Sequence, residues 1–317
     1  MQIPENHEAK IKECTKYAIR HITRICDQIG PRESGSKAER KGQEYWAREM
    51  KKYSDKVEIE DFDVHPHAFM AWVVIDATLL LLGLLFYFLK LPIVTAVLDV
   101  LAVLMMATEF LFYKQFLDPL FKKYTSGNII AVRRAFGETK RRVIISGHTD
   151  SAPEWTYTYR LGSKGVVTVA GSAVAGLVYD MASTAVSLTS KNQKLKKKMA
   201  LGQLAFLPAF GSLFAFTNGK RYVDGASDDL SGCYVANSVM KFLSENDIRF
   251  ENTEVVVLLA GGEECGLRGT KAFFKAHPEY QDDGIETIFL GFDTVRDPEY
   301  MMIYERDLNG LVKNDKK

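Results

Sequence analysis

The 317-residue sequence predicts an α/β fold, a sheet covered by helices and interrupted by two apolar helical hairpins. Three observations lead there. Continuous apolar runs such as Glu254–Ala260 and Thr287–Phe292 have the length and content of buried strands. Stretches of helical spacing separate them, and strands that alternate with helices make a helix-covered sheet. Two longer apolar pairs break into this pattern rather than following it.

Residues 8–29 repeat Ile11, Cys14, Ala18, Ile22, Ile25 and Ile29 at helical spacing, and Gly30-Pro31-Arg32-Glu33-Ser34-Gly35 ends that helix. Ser36 and Glu39 form a capping box for a second helix running to about Tyr53. Val57, Ile59, Phe62 and Val64 mark a strand, and Asn128–Val132 and Val143–Ser146 mark two more. Residues 229–245 read as a helix with Leu230, Val235, Val239, Phe242 and Leu243 facing inward.

The first insert opens with an apolar run from Phe69 to Leu89, in which Asp76 is the only charge. A second run from Ile93 to Tyr113, broken by Asp99 and Glu109, follows the turn at Pro92. Each run approaches the roughly 20 residues that cross a bilayer core. Leu79–Phe86 has no polar face, which favours a transmembrane hairpin over one buried in a soluble protein. The second insert pairs Gly165–Leu188, which carries Asp180, with Met199–Phe216 after the basic turn 191–198. Gly171 and Ala175 stand at a spacing that permits close helix contact in lipid. This hairpin is transmembrane or interfacial, and its length favours spanning. The soluble domain is thus divided into residues 1–67, 121–160 and 219–317, with inserts at 68–120 and 161–218. Each insert leaves and returns, so the soluble domain closes on one side of a lipid bilayer.

A net charge of +1 excludes the basic field of a nucleic-acid-binding protein. Cys14, Cys26, Cys233 and Cys265 lack C-x-x-C spacing and read as reduced, buried thiols. Residues 1–67 hold no apolar segment of the secretory-signal kind. The five lysines of 191–198 argue for that loop in the cytoplasm and the soluble domain outside. Against this stand Lys51, Lys52, Lys56, Lys114, Lys122, Lys123, Arg160, Lys220 and Arg221 on the domain side, and cysteines suited to a reducing compartment. The balance predicts an integral membrane protein with its soluble domain on the cytoplasmic side.

The chemistry is carried by Glu263-Glu264, which follow the apolar run Val255–Ala260. His148-Thr149-Asp150, Ser227-Asp228-Asp229 and Asp293 likewise sit near the ends of apolar runs. Hard oxygen donors and an imidazole gathered at strand ends build a metal site. A doubled carboxylate offers one donor for a metal and one free base for water. Two divalent ions roughly 3.5–4 Å apart would need a bridging carboxylate and terminal ligands. Each residue has a plainer reading. His148 reads equally as a satisfied core histidine, Asp228 as a helix cap and Asp293 as a turn cap. Glu263 and Glu264 read as solvated openers of a helix. The plain account requires all of these to hold at once.

Gly147-His148-Thr149-Asp150-Ser151 resembles the His-x-Asp element of the M28 (aminopeptidase Y/S-like) metallopeptidases. Gly225-Ala226-Ser227-Asp228-Asp229-Leu230-Ser231-Gly232 resembles their bridging-aspartate element, with Ser227 in place of the usual asparagine. Gly261–Thr270 resembles their doubled-glutamate element, and Ile288–Thr294 the strand that ends in a ligand aspartate. Ile29–Arg32 with Gly35-Ser36, and Ser126–Ala131, match as well, so the resemblance covers nearly all of the chain outside the inserts. It implies a three-layer α/β/α zinc-exopeptidase-like domain with a mixed central sheet. It also implies roles. His148 binds one zinc, Asp150 orients His148, and Asp228 bridges two ions. Glu263 is the general base, Glu264 shares the zinc of His148, and Asp293 binds the other zinc.

One departure stands out. The family uses a second histidine after the residue matched by Asp293, and the last histidine here is His277, read as a surface helix end. The chain also stops at Lys317, short of the family's last elements. The expectation is a fragment of a longer protein, with a one-zinc or inactive variant as the alternative. The implied activity is a membrane-anchored zinc aminopeptidase acting on peptides. A catalytically silent receptor or scaffold and a glutaminyl-cyclase-like acyl-transfer enzyme are the alternatives. Oligomeric state is left open.

Overall fold

A computed structural model describes residues 7–306, 313 and 314. Two helices, α1 (His7–Gln28) and α2 (Lys37–Met50), precede strand β1 (Lys56–Val64). An apolar helix pair follows, α3 (Ala71–Phe88) and α4 (Pro92–Met106), the latter continued by a π-helical turn at Ala107–Leu111. Strands β2 (Tyr124–Arg133) and β3 (Arg141–His148) come next, then a short strand β4 (Pro153–Trp155). Helices α5 (Thr156–Thr189), α6 (Gln193–Gln203) and α7 (Leu207–Ser212) lead to β5 (Thr217–Tyr222). Helix α8 (Leu230–Glu245), strand β6 (Thr253–Ala260), helices α9 (Arg268–Ala276) and α10 (Glu279–Asp282), and strand β7 (Glu286–Gly291) complete the order.

The chain divides into two compact units. The first comprises Met1–Pro66, Lys123–Ala152 and Tyr222–Lys317, and holds a five-stranded mixed sheet in the order β1-β2-β6-β3-β7. β1, β2 and β6 pair antiparallel, whereas β3 runs parallel to both β6 and β7. Alternation along the strands sorts the core into two layers. Ile129, Ala131, Ile145, Val257 and Leu259 pack with Trp46, Tyr234 and Met240 of the helices on one face. Ile130, Val132, Ile144, Val256 and Leu258 pack with Phe273 of α9 on the other. The unit is therefore the expected three-layer α/β/α domain.

The second unit, His67–Lys122 with Pro153–Arg221, is a helical assembly with a small β4–β5 sheet. Its apolar residues point both ways. Leu80, Ala102, Leu177 and Phe210 are buried, while Leu85, Phe88, Ile93, Val97, Val100 and Val178 stay exposed. Several polar residues point in: Asp76, Thr95, Asp99, Asp180, Thr184 and Gln203 are all buried. Four helical stretches here are long and apolar enough to cross a membrane: Ala71–Phe88, Pro92–Leu111, Thr156–Thr189 and Gln193–Ala215.

The run Met199–Phe216 lies in a helical stretch that begins at Gln193 and reaches Ala215, with a 3-10 turn at Leu204–Phe206 joining α6 to α7 and another at Leu213–Ala215. Pro208 opens α7, where its missing N–H costs least. Several local expectations are corrected. The close-contact face of α5 is not the one holding Gly171 and Ala175. Gly171 faces open space, and Ala173, Gly176 and Leu177 make the contact, with a Cβ at Gly176 reaching 2.7 Å from the Phe210 ring. The capping box is half formed: Ser36 accepts from the Glu39 amide, but the Glu39 carboxylate turns to Gly35 N and Ser126 Oγ. β7 is an edge strand among the described residues, and Ile288, Phe289 and Leu290 are exposed rather than central.

Truncating a side chain in a core this dense removes contacts that the neighbours cannot restore. Ile129→Ala, at a fully buried position, should lower unfolding stability by about 2–5 kcal/mol. Phe136→Ala, at a position 80% exposed, should stay within about 0.5 kcal/mol. Chemical denaturation of the detergent-solubilised chain, followed by far-UV circular dichroism, checks both.

Candidate metal centre

The parallel strands β3, β6 and β7 end together, and ligand-bearing residues gather beyond the carboxyl ends of such strands. His148 is the last residue of β3, paired in register with Ala260 at the end of β6. Glu263 and Glu264 sit in the tight loop after β6. Gly262 turns that loop with φ +61°, and it closes through the Glu263 carbonyl, which accepts from the amides of Gly266 and Leu267 at 2.8 Å. Asp293 follows β7, whose continuation is fixed by Phe292 N donating to Ser146 O at 2.8 Å. Asp228 stands just before α8. That helix can approach because residues 147 and 232 are glycines; a Cβ on Gly147 would lie 2.6 Å from Cys233 N.

The adjacent aspartates divide their work. Asp229, not Asp228, caps α8, accepting from Gly232 N at 2.8 Å and from His148 N at 2.9 Å. Asp228 is left with its side chain half exposed, and its Oδ1 lies 3.0 Å from His148 Nε2. Glu263 Oε2 lies 3.8 Å from the same nitrogen.

Behind His148 sits Asp150, completely buried. It accepts from Ser34 Oγ at 2.6 Å, from Glu263 N at 3.0 Å and from Glu264 N at 3.1 Å. Its Oδ1 faces His148 Nδ1 at 3.4 Å. One carboxylate thereby faces the imidazole and fixes the position of the doubled glutamate. The segment carrying Asp150 is itself held by buried Arg32, which donates to the carbonyls of Thr149, Gly30 and Asp224 at 2.8–2.9 Å.

All six residues singled out in the sequence come together. Ligand atoms of His148, Asp228 and Asp293 lie within 4.8 Å of one another, as do those of His148, Glu263 and Glu264. His148 is common to both groups, and it is their one histidine. His277 lies elsewhere, between Glu60 at 2.8 Å and Glu279 at 3.0 Å. The supporting roles of Ser34, Arg32, Glu39 and Asp229 were not foreseen from the sequence, because long-range polar bonds from loop residues carry no periodic signal.

The electrostatics follow from burial among like charges. Burial pushes Glu264 up to about 9, with the charges of Asp228 and Glu263 adding to it. Burial also raises Glu263 to about 7; His148 opposes this, and Asp150, Asp293 and Asp228 reinforce it. Burial takes Asp229 to about 7 and Glu39 to about 8, the latter helped by the Asp150 charge. Burial works against a charged His148, yet Asp150, Asp228 and Glu263 raise it well above an ordinary imidazole. Burial likewise opposes ionisation of Asp150, but its bonds to His148, Ser34 and the Glu263 amide hold it below the usual carboxylate range.

The donors fit a zinc ion. They are one imidazole nitrogen and several carboxylate oxygens, the types zinc takes when thiolates are absent. Glu264 Oε1 is moreover buried without a hydrogen-bond partner among the described residues.

Residues 212–312 match the profile of peptidase family M28. That stretch contains Asp228, Glu263, Glu264 and Asp293. Among solved structures the chain is similar to a glutaminyl cyclase from Fimbriiglobus ruber (14% identity, TM-score 0.43, covering 87% of this chain and 60% of that one). It is similar to an aminopeptidase from Aneurinibacillus sp. strain AM-1 (15%, 0.45, 88% and 70%). It is also similar to BSAP, a zinc aminopeptidase from Bacillus subtilis (13%, 0.46, 88% and 69%). The chain spans 60% of the Fimbriiglobus ruber protein and 45% of a glutaminyl cyclase from Tannerella forsythia. No curated protein sequence matches it.

Glu263, Glu264, Glu39, Asp229 and His148 are all raised, so the folded, metal-free chain binds more protons than the unfolded chain above the ordinary carboxylate range. The stability they contribute is present at low pH and is lost as pH rises through the folded values. Asp150, shifted the other way, is already ionised in both states above about pH 5 and adds no slope there. The melting temperature of the metal-free protein should therefore fall between pH 5 and 8. Added zinc should flatten that fall, because metal binding stabilises the ionised carboxylates. Thermal melts across this range check it; a flat or rising metal-free curve would contradict the assigned environment.

Proposed function

We propose that this chain is a zinc-dependent exopeptidase of the aminopeptidase type, held at a membrane by its apolar unit and acting on peptides. The observation that carries the proposal is Asp150. A fully buried carboxylate that faces one ring nitrogen of a histidine at 3.4 Å, while the other nitrogen meets a half-exposed carboxylate at 3.0 Å, is the support a metal-ligating histidine requires. In this reading His148, Asp228, Glu264 and Asp293 hold the metal. When bound there, zinc supplies Lewis acidity and makes water a nucleophile near neutral pH.

The chain's own groups do the rest. Glu263, raised to about 7, is poised to take a proton from the attacking water at Oε2 and to return it to the leaving amine. Its backbone is pinned by the N–H bond to Asp150, so the carboxylate works from a fixed base. Asp150 keeps His148 in one orientation without itself changing charge.

The membrane reading rests on the polarity of the second unit. Its four long apolar stretches show many aliphatic side chains outward, and hold acids, some hydroxyls and an amide inward. That arrangement suits a lipid surround, where polar groups face the helix interior. We read the peptidase unit as cytoplasmic, because all four cysteines are free, with Cys233 and Cys265 buried.

Glu263→Gln should cut turnover of aminoacyl reporter substrates by about 10²–10⁴-fold while zinc per protein stays unchanged. Asp228→Ala should lower zinc per protein, measured by elemental analysis. Retained turnover in the first variant would remove Glu263 from the base role. Cyclisation of N-terminal glutamine peptides by the parent protein, without release of amino acids, would replace the exopeptidase reading with acyl transfer.

A further inference from the structure

The second unit contains a separate set of oxygen donors. Asp99 on α4, Asp180 and Thr184 on α5, and Gln203 at the end of α6 converge beside Gly83 of α3, and each is at least 97% buried. A Cβ placed on Gly83 would lie 3.5 Å from Asp99 Oδ1 and 3.6 Å from Asp180 Oδ2, so the glycine leaves room for both carboxylates. Asp180 and Thr184 are polar neighbours of Asp99.

The donors are too few for these acceptors. Gln203 Nε2 donates to Asp180 Oδ1. Thr95 Oγ1 donates to the Gly83 carbonyl at 2.9 Å, which takes that carbonyl out of the set. Both oxygens of Asp99, Oδ2 of Asp180, Oε1 of Gln203 and Oγ1 of Thr184 remain buried with no partner among the described residues. Among the described residues, neither carboxylate has a basic neighbour. With both acids ionised, these five oxygens and their one hydroxyl proton cannot satisfy one another, and leaving them so in an apolar interior is costly. Positive charge must enter. All-oxygen donors suit a hard cation, and the absence of nitrogen or sulfur disfavours zinc. Two carboxylates in an apolar surround are neutralised by two positive charges.

We propose that Asp99, Asp180, Thr184 and Gln203 form a binding site for a hard divalent cation of the calcium and magnesium class inside the apolar unit. The site shares no residue with the peptidase cluster and does not depend on the peptidase assignment.

The test uses the full chain in detergent, stripped with chelator and then titrated with calcium chloride or magnesium chloride. Calorimetry and thermal unfolding are the readouts. The parent and Asp228→Ala, which disables the peptidase cluster, should both bind one such ion and unfold at higher temperature. Asp99→Asn combined with Asp180→Asn should weaken binding by more than about 100-fold, beyond the loss of an outer-shell partner. Thr184→Val, a milder change, should weaken it by about 10-fold and carries the test if the double variant does not fold. A parent that binds neither ion overturns the proposal. So does an ion response lost in Asp228→Ala and kept in the double variant. A response to sodium alone, or stabilisation by acid with no ion response, overturns it in favour of a monovalent ion or bound protons.

Discussion

The candidate centre depends on one buried anion. Asp150 lies with no solvent contact, yet every direction it faces holds a donor: the Ser34 hydroxyl, two successive backbone amides, and the His148 ring. Such a group costs several kcal/mol to bury alone and becomes a fixed reference point once its lone pairs are filled. Three separate chain segments meet on it: the loop ahead of α2, the end of β3 and the loop after β6. Displacing any one would strand the charge, so the three move as a unit or not at all. The imidazole and the glutamates inherit that rigidity, which a metal-binding constellation needs from its support.

The sheet supplies the other half of the placement. Parallel β3, β6 and β7 finish at one edge, and short connections leave their following residues side by side. Glycines at 147 and 232 let α8 start almost against β3, so Asp229 can cap the helix and hold the His148 amide together. With the cap duty absorbed, Asp228 is free to face the imidazole. Two adjacent residues of the same type thus part company because one satisfies backbone amides and the other meets the imidazole.

Much of this was readable from residue order. The central strands announced themselves as aliphatic runs, and the ligand-type residues were found because each stood just past such a run. What stayed hidden has a physical reason. β2 begins at Tyr124 rather than Asn128 because Ser126 and Asn128 are buried by bonds to Glu39 and Gly269, which hydropathy cannot register. β7 carried the composition of a central strand, but composition reports what a strand can bury, not which neighbours it has. Arg32 and Ser34 sit in a loop whose only visible signal was its glycines and proline. Their work is long range: Arg32 grips carbonyls more than a hundred residues away. The Gly171–Ala175 spacing misled because a helix rich in small residues offers several such pairs. Only packing selects the face, and here it chose Ala173, Gly176 and Asp180.

The two units treat buried acids in opposite ways, and the contrast is informative. In the first, Asp150 and Asp229 are saturated by amides and a hydroxyl belonging to the chain itself, so each can serve as scaffold. In the second, Asp180 meets one amide, yet most of the oxygens of Asp99 and Asp180 are left over. A satisfied buried carboxylate has spent its capacity on structure; an unsatisfied one retains it for something mobile. The same test separates the roles within the candidate centre, where Glu264 keeps an idle oxygen and Asp150 keeps none. Completeness of hydrogen bonding, more than burial or charge, therefore distinguishes the acids that hold this protein together from those placed to meet a cation.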